Sequence, residues 1–170
     1  MKKSKQTALA GVMAGVSIVI MLLGSVLWVF TYVAPIITGL LMIIICDFAD
    51  KKTALICYAA VSIITVFALP DKECALTYIF FFGYYPIIRD SLNKIKPKAL
   101  SYLTKLIIFN AGIVSSQALL VYLFMVPIEK IFGKLTVLIL LLLANLIFVV
   151  YEALLSMLII IYQKKKKRRS

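Results

Sequence analysis

The feature that most constrains this chain is the alternation of long apolar segments with short charged interruptions. Six apolar segments are separated by five such interruptions. If the chain begins in the cytoplasm, sixteen of its nineteen Lys and Arg residues fall on the cytoplasmic side. Segments rich in Lys and Arg stay there because moving those charges across the bilayer is unfavourable. The pattern therefore predicts an even number of crossings, with both termini in the cytoplasm.

Composition agrees with a chain that uses lipid as its solvent. Hydrophobic residues make up 64% of the sequence, whereas a soluble domain has closer to half. The loops between segments are short, so consecutive helices must be antiparallel neighbours. We expect an all-α membrane protein of the cell membrane, a single domain of six transmembrane helices in one compact bundle. The spans cover about residues 7–30, 33–46, 53–69, 74–92, 99–125 and 135–162, and residues 163–170 form a basic cytoplasmic tail.

Two of the predicted spans have features that are unusual for a continuous membrane-crossing helix. The second is short for a crossing of about twenty residues, and the fourth contains Pro86, which should kink or end its helix. The net charge of +12 could suggest nucleic acid. However, the positive charge lies at the ends of spans, and the run Lys164–Arg169 directly follows an apolar segment. Such a cluster anchors a span and attracts anionic headgroups, so the predicted partner is the lipid bilayer and not nucleic acid.

Residues for catalysis or cofactor binding are missing from the sequence. It has no His, no CxxC pair and no GxxxxGK phosphate loop, and no span holds two carboxylates. We therefore expect neither an enzyme nor a metal or cofactor site. Cys46, Cys57 and Cys74 are interpreted as small packing residues.

Polar residues inside the spans are informative because lipid cannot satisfy them. Glu152 lies deep in the sixth span, and Asn145 is seven residues earlier on the same helix face. Asn110 and Gln117 have the same spacing in the fifth span, and Thr65 lies in the third. Such groups either line a cavity or hydrogen-bond between helices, and the spacing alone does not decide between the two.

Depth favours a pocket in the outer half of the bundle. Aromatic rings with a few amides and hydroxyls are the usual lining of a small-molecule site. We predict an outward cavity enclosed by spans three to six, with Thr65, Tyr78, Gln117, Asn145 and Glu152 as its substrate-binding residues. Trp28 and Tyr32 are better explained as interfacial aromatic residues.

Span one carries small residues at helical spacing. Ala10 and Ala14 are four apart, as are Gly11 and Gly15. Small side chains at this spacing leave a groove that another helix can approach closely. The four residues are the candidate docking surface, although an internal helix pair would use the same pattern.

Size, topology and the opening Thr7-Ala8-Leu9-Ala10 of span one resemble the substrate-binding S components of energy-coupling factor (ECF) vitamin transporters. The resemblance covers nearly the whole chain. It implies that Ala10 and Ala14 dock on a transmembrane coupling subunit, that separate ATPase subunits supply energy, and that a small molecule such as a vitamin binds from outside. The chain departs from many members in its short first outer loop, near residues 31–34.

A non-enzymatic scaffold of the rod-shape, cell-elongation type is the alternative, because such proteins have similar size and span number. A scaffold needs no pocket, and its working surface would be the inner segments 81–89 and 94–98. Neither reading identifies a substrate or an oligomeric state.

Overall fold

The computed structural model describes residues 3–124 and 134–167, and all regular structure within these ranges is helical. The prediction of an all-α protein is confirmed. The described residues contain seven α-helices, numbered here in chain order: α1 Lys3–Val26, α2 Val33–Phe48, α3 Lys51–Ala68, α4 Lys72–Thr77, α5 Tyr85–Leu92, α6 Lys98–Phe124 and α7 Lys134–Lys167. A short 3-10 turn, Trp28–Phe30, precedes α2, and a π-helical segment, Tyr78–Phe82, follows α4.

Four of the helices are long and apolar enough to cross a membrane. They are Lys3–Val26, Lys51–Ala68, Lys98–Tyr122 within α6, and Leu138–Ile161 within α7. These helices indicate a membrane protein. Helix α2 is apolar but has 16 residues, about 24 Å at 1.5 Å per residue, which is less than the hydrocarbon thickness of about 30 Å.

The chain divides into two compact units, Met1–Val126 and Pro127–Ser170. Within the first unit, α2 contacts α1, α3, α4, the π-helical segment and α5. A helix that is apolar on all sides has no face that prefers water, so it is buried at the centre. Thr38, Met42 and Ile45 of α2 are almost completely inaccessible to solvent.

The fourth predicted span is an interrupted helix rather than a continuous one. Its π-helical segment ends where the amide of Gly83 donates to the carbonyl of Tyr78, five residues earlier, at 2.8 Å. Pro86 has no amide hydrogen, and its ring would clash with the carbonyl of Phe82, four residues before it. An α-helix therefore cannot run through this position, and α5 starts anew at Tyr85 with Pro86 in its first turn.

The two ends of the first unit differ in charge. At one end, called the acidic end, the turn between α3 and α4 carries Asp71, Lys72 and Glu73. At the other, called the basic end, lie the starts of α1, α3 and α6 and the ends of α2 and α5. The side chain of Gln6 donates to the carbonyl of Phe48 there at 2.8 Å. Lysines dominate this end.

The second unit is described by helix α7. It has 34 residues and remains helical to Lys167, so most of the predicted tail 163–170 continues the helix of span six. Lysine is a good helix former, which explains why the helix does not stop at the charged run. Residues 168–170 lie outside the described residues, as do Pro127 and all but the last residue of the predicted loop 126–134.

Candidate functional site

A hydrogen-bonded network at the acidic end joins three parts of the first unit. Glu73 Oε1 accepts from the Tyr32 hydroxyl and, at 2.8 Å, from Nε2 of Gln117. Asp71 Oδ2 accepts from the Thr31 hydroxyl at 2.9 Å. The network therefore ties the residues before α2 and the last third of α6 to the first turn of α4.

Backbone groups fix the same turn. Asp71 is the N-cap of α4, and its Oδ1 accepts from the amides of Glu73 at 2.9 Å and Cys74 at 3.4 Å. Lys72 Nζ donates to the carbonyls of Val66 and Leu69, each at 2.8 Å. A carboxylate at a helix start and an ammonium at a helix end both satisfy groups that the helices leave open.

The network also affects the acidity of Tyr32. Partial burial of the phenol, followed by its hydrogen bond to Glu73 and the charge of that carboxylate, raises the pKa of Tyr32 above its ordinary value. The phenol therefore stays protonated and remains a donor at neutral pH. The predicted role of Tyr32 as an interfacial aromatic residue is compatible with this bond, since its side chain is half exposed.

The π-helical segment is enclosed by two close approaches at glycine. A Cβ on Gly83 would lie 2.6 Å from the Tyr58 ring, and a Cβ on Gly112 would lie 2.5 Å from the carbonyl oxygen of Phe80. No side chain larger than hydrogen fits at either position without a shift. The Tyr58 hydroxyl donates to the carbonyl of Ile79 at 2.8 Å. This bond satisfies a carbonyl in the irregular part of the helix.

Beside this segment lies a cleft of about 420 Å³. Helices α3 and α6 flank it, and the π-helical segment forms its floor. Its walls are mainly aromatic and aliphatic, and they include Tyr58, Phe80, Tyr84, Ile108, Gly112 and Ser115. Tyr84 and Ser115 are polar members of the lining, and none of the lining residues is charged. The cleft is open along much of its surface, and its volume and apolar lining are in the range of small-molecule sites.

Three of the predicted substrate-binding residues lie in the first unit, and none of the three lines this cleft. Gln117 belongs to the network at the acidic end. Thr65 is fully buried, and its hydroxyl donates to the carbonyl of Ser62 in its own helix at 3.2 Å. Tyr78 is also fully buried, behind the Tyr58 ring at a centroid distance of 5.9 Å. The Tyr78 hydroxyl has no hydrogen-bond partner among the described residues.

The other two predicted residues, Asn145 and Glu152, lie in α7 of the second unit. Asn145 Nδ2 donates to the carbonyl of Leu141 at 2.8 Å, and the hydroxyl of Ser156 donates to the carbonyl of Glu152 at 2.8 Å. Each of these bonds is between a side chain and a backbone carbonyl four residues away in the same helix, a common arrangement in apolar helices.

The four candidate docking residues of α1 divide into two groups. Ala10 is buried, and its carbonyl accepts from the thiol of Cys57 at 3.7 Å, while Ala14 is half-buried. Gly11 and Gly15 are exposed, and nothing lies within 4 Å of a Cβ built on either. The open part of the small-residue stripe is therefore the glycine pair.

Sequence reasoning missed the partners that organise these sites. Glu73 was not among the predicted site residues, although an Asp followed by a Glu at a helix start is a recognisable N-terminal signal. Gly83 stands within an aromatic run and Gly112 within an apolar span. A glycine in such a place indicates a close backbone approach, although the sequence cannot say to what.

Within residues 3–124 and 134–167, no group of three or more His, Cys, Asp or Glu side chains is arranged to hold a metal ion. Cys46, Cys57 and Cys74 are free thiols. Similarity to known proteins adds no assignment: no family model, no curated protein and no solved structure matches this chain significantly.

Proposed function

We propose that this chain is the substrate-binding membrane subunit of an importer for a small molecule, of the kind that ECF S components represent. The observation that carries the proposal is the cleft beside the π-helical segment, with its aromatic walls and uncharged hydroxyls. A subunit that only binds its substrate needs such a cleft and no catalytic group. Energy would come from ATPase subunits acting through a transmembrane coupling subunit.

The proposed topology is six crossings with both termini in the cytoplasm. Helices α1, α2, α3, α6 and the interrupted fourth segment would provide five, and α7 the sixth. The charge difference between the two ends of the first unit supports this orientation, since a lysine-rich end stays cytoplasmic. The acidic end would then face outward. An irregular helix at membrane depth is tolerated when it is enclosed by protein, as the π-helical segment is between Tyr58 and Gly112.

Filling the cleft tests the binding role. Ser115→Trp should place an indole in the cleft, whereas Val114→Trp adds the same group at an adjacent exposed position that does not line it. Both proteins are purified from cells that take up the substrate mixture, and bound small molecules are released and identified by mass spectrometry. Loss of the bound molecule in Ser115→Trp alone supports the proposal. Equal loading of both variants would show that the cleft is not the substrate site.

Docking is best tested at the open glycines. Gly15→Trp should prevent co-purification of a coupling subunit and its ATPases while leaving ligand loading unchanged, because nothing within the described part of the bundle approaches this position. Ile56→Trp, on an exposed face of α3, is the matched control. Ala10→Trp is less informative, since Ala10 is buried against α3 and a Trp there would disturb folding. Normal co-purification with Gly15→Trp would exclude this docking surface.

The scaffold alternative is less well supported by the first unit. Its working surface would include segment 81–89, but Phe81, Phe82, Tyr85, Ile87 and Arg89 are buried. Of the two segments that it requires, 94–98 is the accessible one. Co-purification with cell-wall or cytoskeletal proteins, in place of ATPases, would favour the scaffold.

A further inference from the structure

Five lysines form an exposed group at the basic end of the first unit. The lysine cluster consists of Lys51 and Lys52 at the start of α3, and Lys94, Lys96 and Lys98 around the α5–α6 connection, and all five side chains are exposed. Lys51 Nζ lies 3.5 Å from the hydroxyl of Ser91, which brings the two sets together.

The connection that carries three of these lysines is held in place by hydrogen bonds. The hydroxyl of Ser101 donates to the carbonyl of Leu92 at 2.8 Å, and Lys105 donates to the side chain of Asn93. The amides of Lys94 and Ile95 donate to the carbonyls of Ser91 and Leu92, each at 3.2 Å. These bonds keep the loop against the start of α6, so its lysines are presented from a fixed backbone.

The charge of the cluster is not neutralised by direct ion pairs. Acidic side chains at this end are Asp47, Asp50 and Asp90. In the part of the chain that the structure describes, none of them forms an ion pair with a lysine of the cluster. Asp50 is committed to capping α3, where its carboxylate accepts from the amide of Thr53 at 2.8 Å. The ammonium groups of the cluster are therefore open to an anion from solvent.

The lysines also stand directly below exposed apolar side chains on the same helix faces. Lys52 is four residues before Ile56, which is 69% exposed, and Lys98 is four residues before Tyr102, which is 57% exposed. Residues four apart lie one above the other on a helix. The surface thus changes from cationic to apolar over one helical turn, which is how a phospholipid changes from headgroup to acyl chain.

We infer that the lysine cluster and the exposed apolar residues above it form a binding site for an anionic phospholipid. The ammonium groups of Lys51, Lys52, Lys94, Lys96 and Lys98 hold the phosphate, and Leu55, Ile56 and Tyr102 contact the acyl chains. The apolar half distinguishes a lipid from free phosphate, which would use the lysines alone. The site does not depend on the importer role, since it requires only that this end lies at a membrane surface.

The test is lipid retention by the full chain purified in neutral detergent from bilayers with equal phosphatidylglycerol and phosphatidylcholine. Native mass spectrometry should find phosphatidylglycerol enriched on the wild type. In the double variant Lys94→Gln/Lys96→Gln, the enrichment of phosphatidylglycerol should fall about fivefold for each lysine removed. Lys3→Gln/Lys5→Gln is the matched control, because it removes the same charge from exposed residues elsewhere at the same end.

Each outcome separates the possibilities. Loss of enrichment in the loop variant and not in the control supports the site, and Lys94→Arg/Lys96→Arg should retain it. An equal loss in both Gln variants would mean diffuse attraction and would overturn the site. If an excess of inorganic phosphate displaced the lipid, the cluster would be assigned to free phosphate, and the proposal of a lipid site would be refuted. Absence of enrichment in the wild type would also refute it.

Discussion

The acidic and basic ends of the first unit use their charged groups in opposite ways. At the acidic end, Asp71, Lys72 and Glu73 all bond to other groups of the protein. At the basic end, the side chains of the lysine cluster are exposed, and they make few bonds to other groups of the described protein. The difference suggests that charge holds the helices together at one end and is available to a partner at the other. Substitutions at the acidic end should therefore affect stability most.

Glu73→Ala is expected to have the largest effect. It removes the acceptor of both Tyr32 and Gln117, and hydrogen bonds to a charged group contribute about 1.5–3 kcal/mol each when buried. Because Tyr32 is half exposed, water replaces part of the loss, and we expect destabilisation of about 2–3 kcal/mol. Equilibrium unfolding in mixed micelles measures it. Glu73→Gln keeps an acceptor oxygen and should cost less. If it cost as much as Glu73→Ala, the negative charge of Glu73 and not its acceptor oxygen would be the important property.

Asp71→Ala should have the next largest effect. The substitution removes the N-cap of α4 and the acceptor of the Thr31 hydroxyl. Loss of an N-cap costs about 0.5–2 kcal/mol, and with the second bond we expect about 1–2 kcal/mol in the same measurement. Asp71→Asn retains most capping ability and is the control. If Asn were as destabilising as Ala, the charge of Asp71 and not its capping would be the important property.

Asp50 is the corresponding N-cap at the basic end, and its effect should be smaller. It accepts from the amide of Thr53 but makes no bond to another helix among the described contacts. Hydrogen bonding by the Thr53 side chain and by its amide, with further contributions from the charges of Lys52 and Lys3, lowers the pKa of Asp50 below its ordinary value.

The lowered pKa gives the Asp50 contribution a definite pH dependence. A group whose pKa is depressed on folding stabilises the protein above its unfolded pKa and loses that effect as the pH falls through the folded pKa. The difference in unfolding free energy between wild type and Asp50→Asn should therefore shrink below about pH 4. A difference that stays constant on acidification would refute the assignment.

These contrasts also show what the sequence could predict. Uninterrupted apolar runs were sufficient for α1, α3, α6 and the apolar part of α7, because hydropathy and length alone define a membrane helix. Pro86 correctly indicated that the helix of the fourth segment is interrupted. The π-helical geometry could not be predicted, since it depends on Tyr58 and Gly112 from other helices.

The candidate sites were harder to predict because they depend on long-range pairing. Gln117 was chosen as a pocket residue, but its partner Glu73 is 44 residues away in sequence, and spacing within one helix cannot reveal such a pair. The stripe on α1 has a similar difficulty. Ala10 and Gly11 are adjacent in sequence, and each is followed four residues later by another small residue. The spacing therefore does not tell which of the two helix faces packs inside. Only packing against α3 decides that Ala10 is inside and Gly11 outside.

The smallest effect on stability is expected where the charge is most concentrated. Lys94→Gln/Lys96→Gln removes two exposed ammonium groups that form no ion pair within the described residues, so the unfolding free energy in neutral detergent should change by less than about 0.5 kcal/mol. The substitution also relieves repulsion within the cluster, which acts in the stabilising direction. Lys72→Gln is the matched comparison at the acidic end, where the ammonium holds two carbonyls of α3, and it should be clearly more destabilising. If the loop variant instead unfolded as readily as Lys72→Gln, the basic end would be held together by its lysines, and the distinction between the two ends would fail.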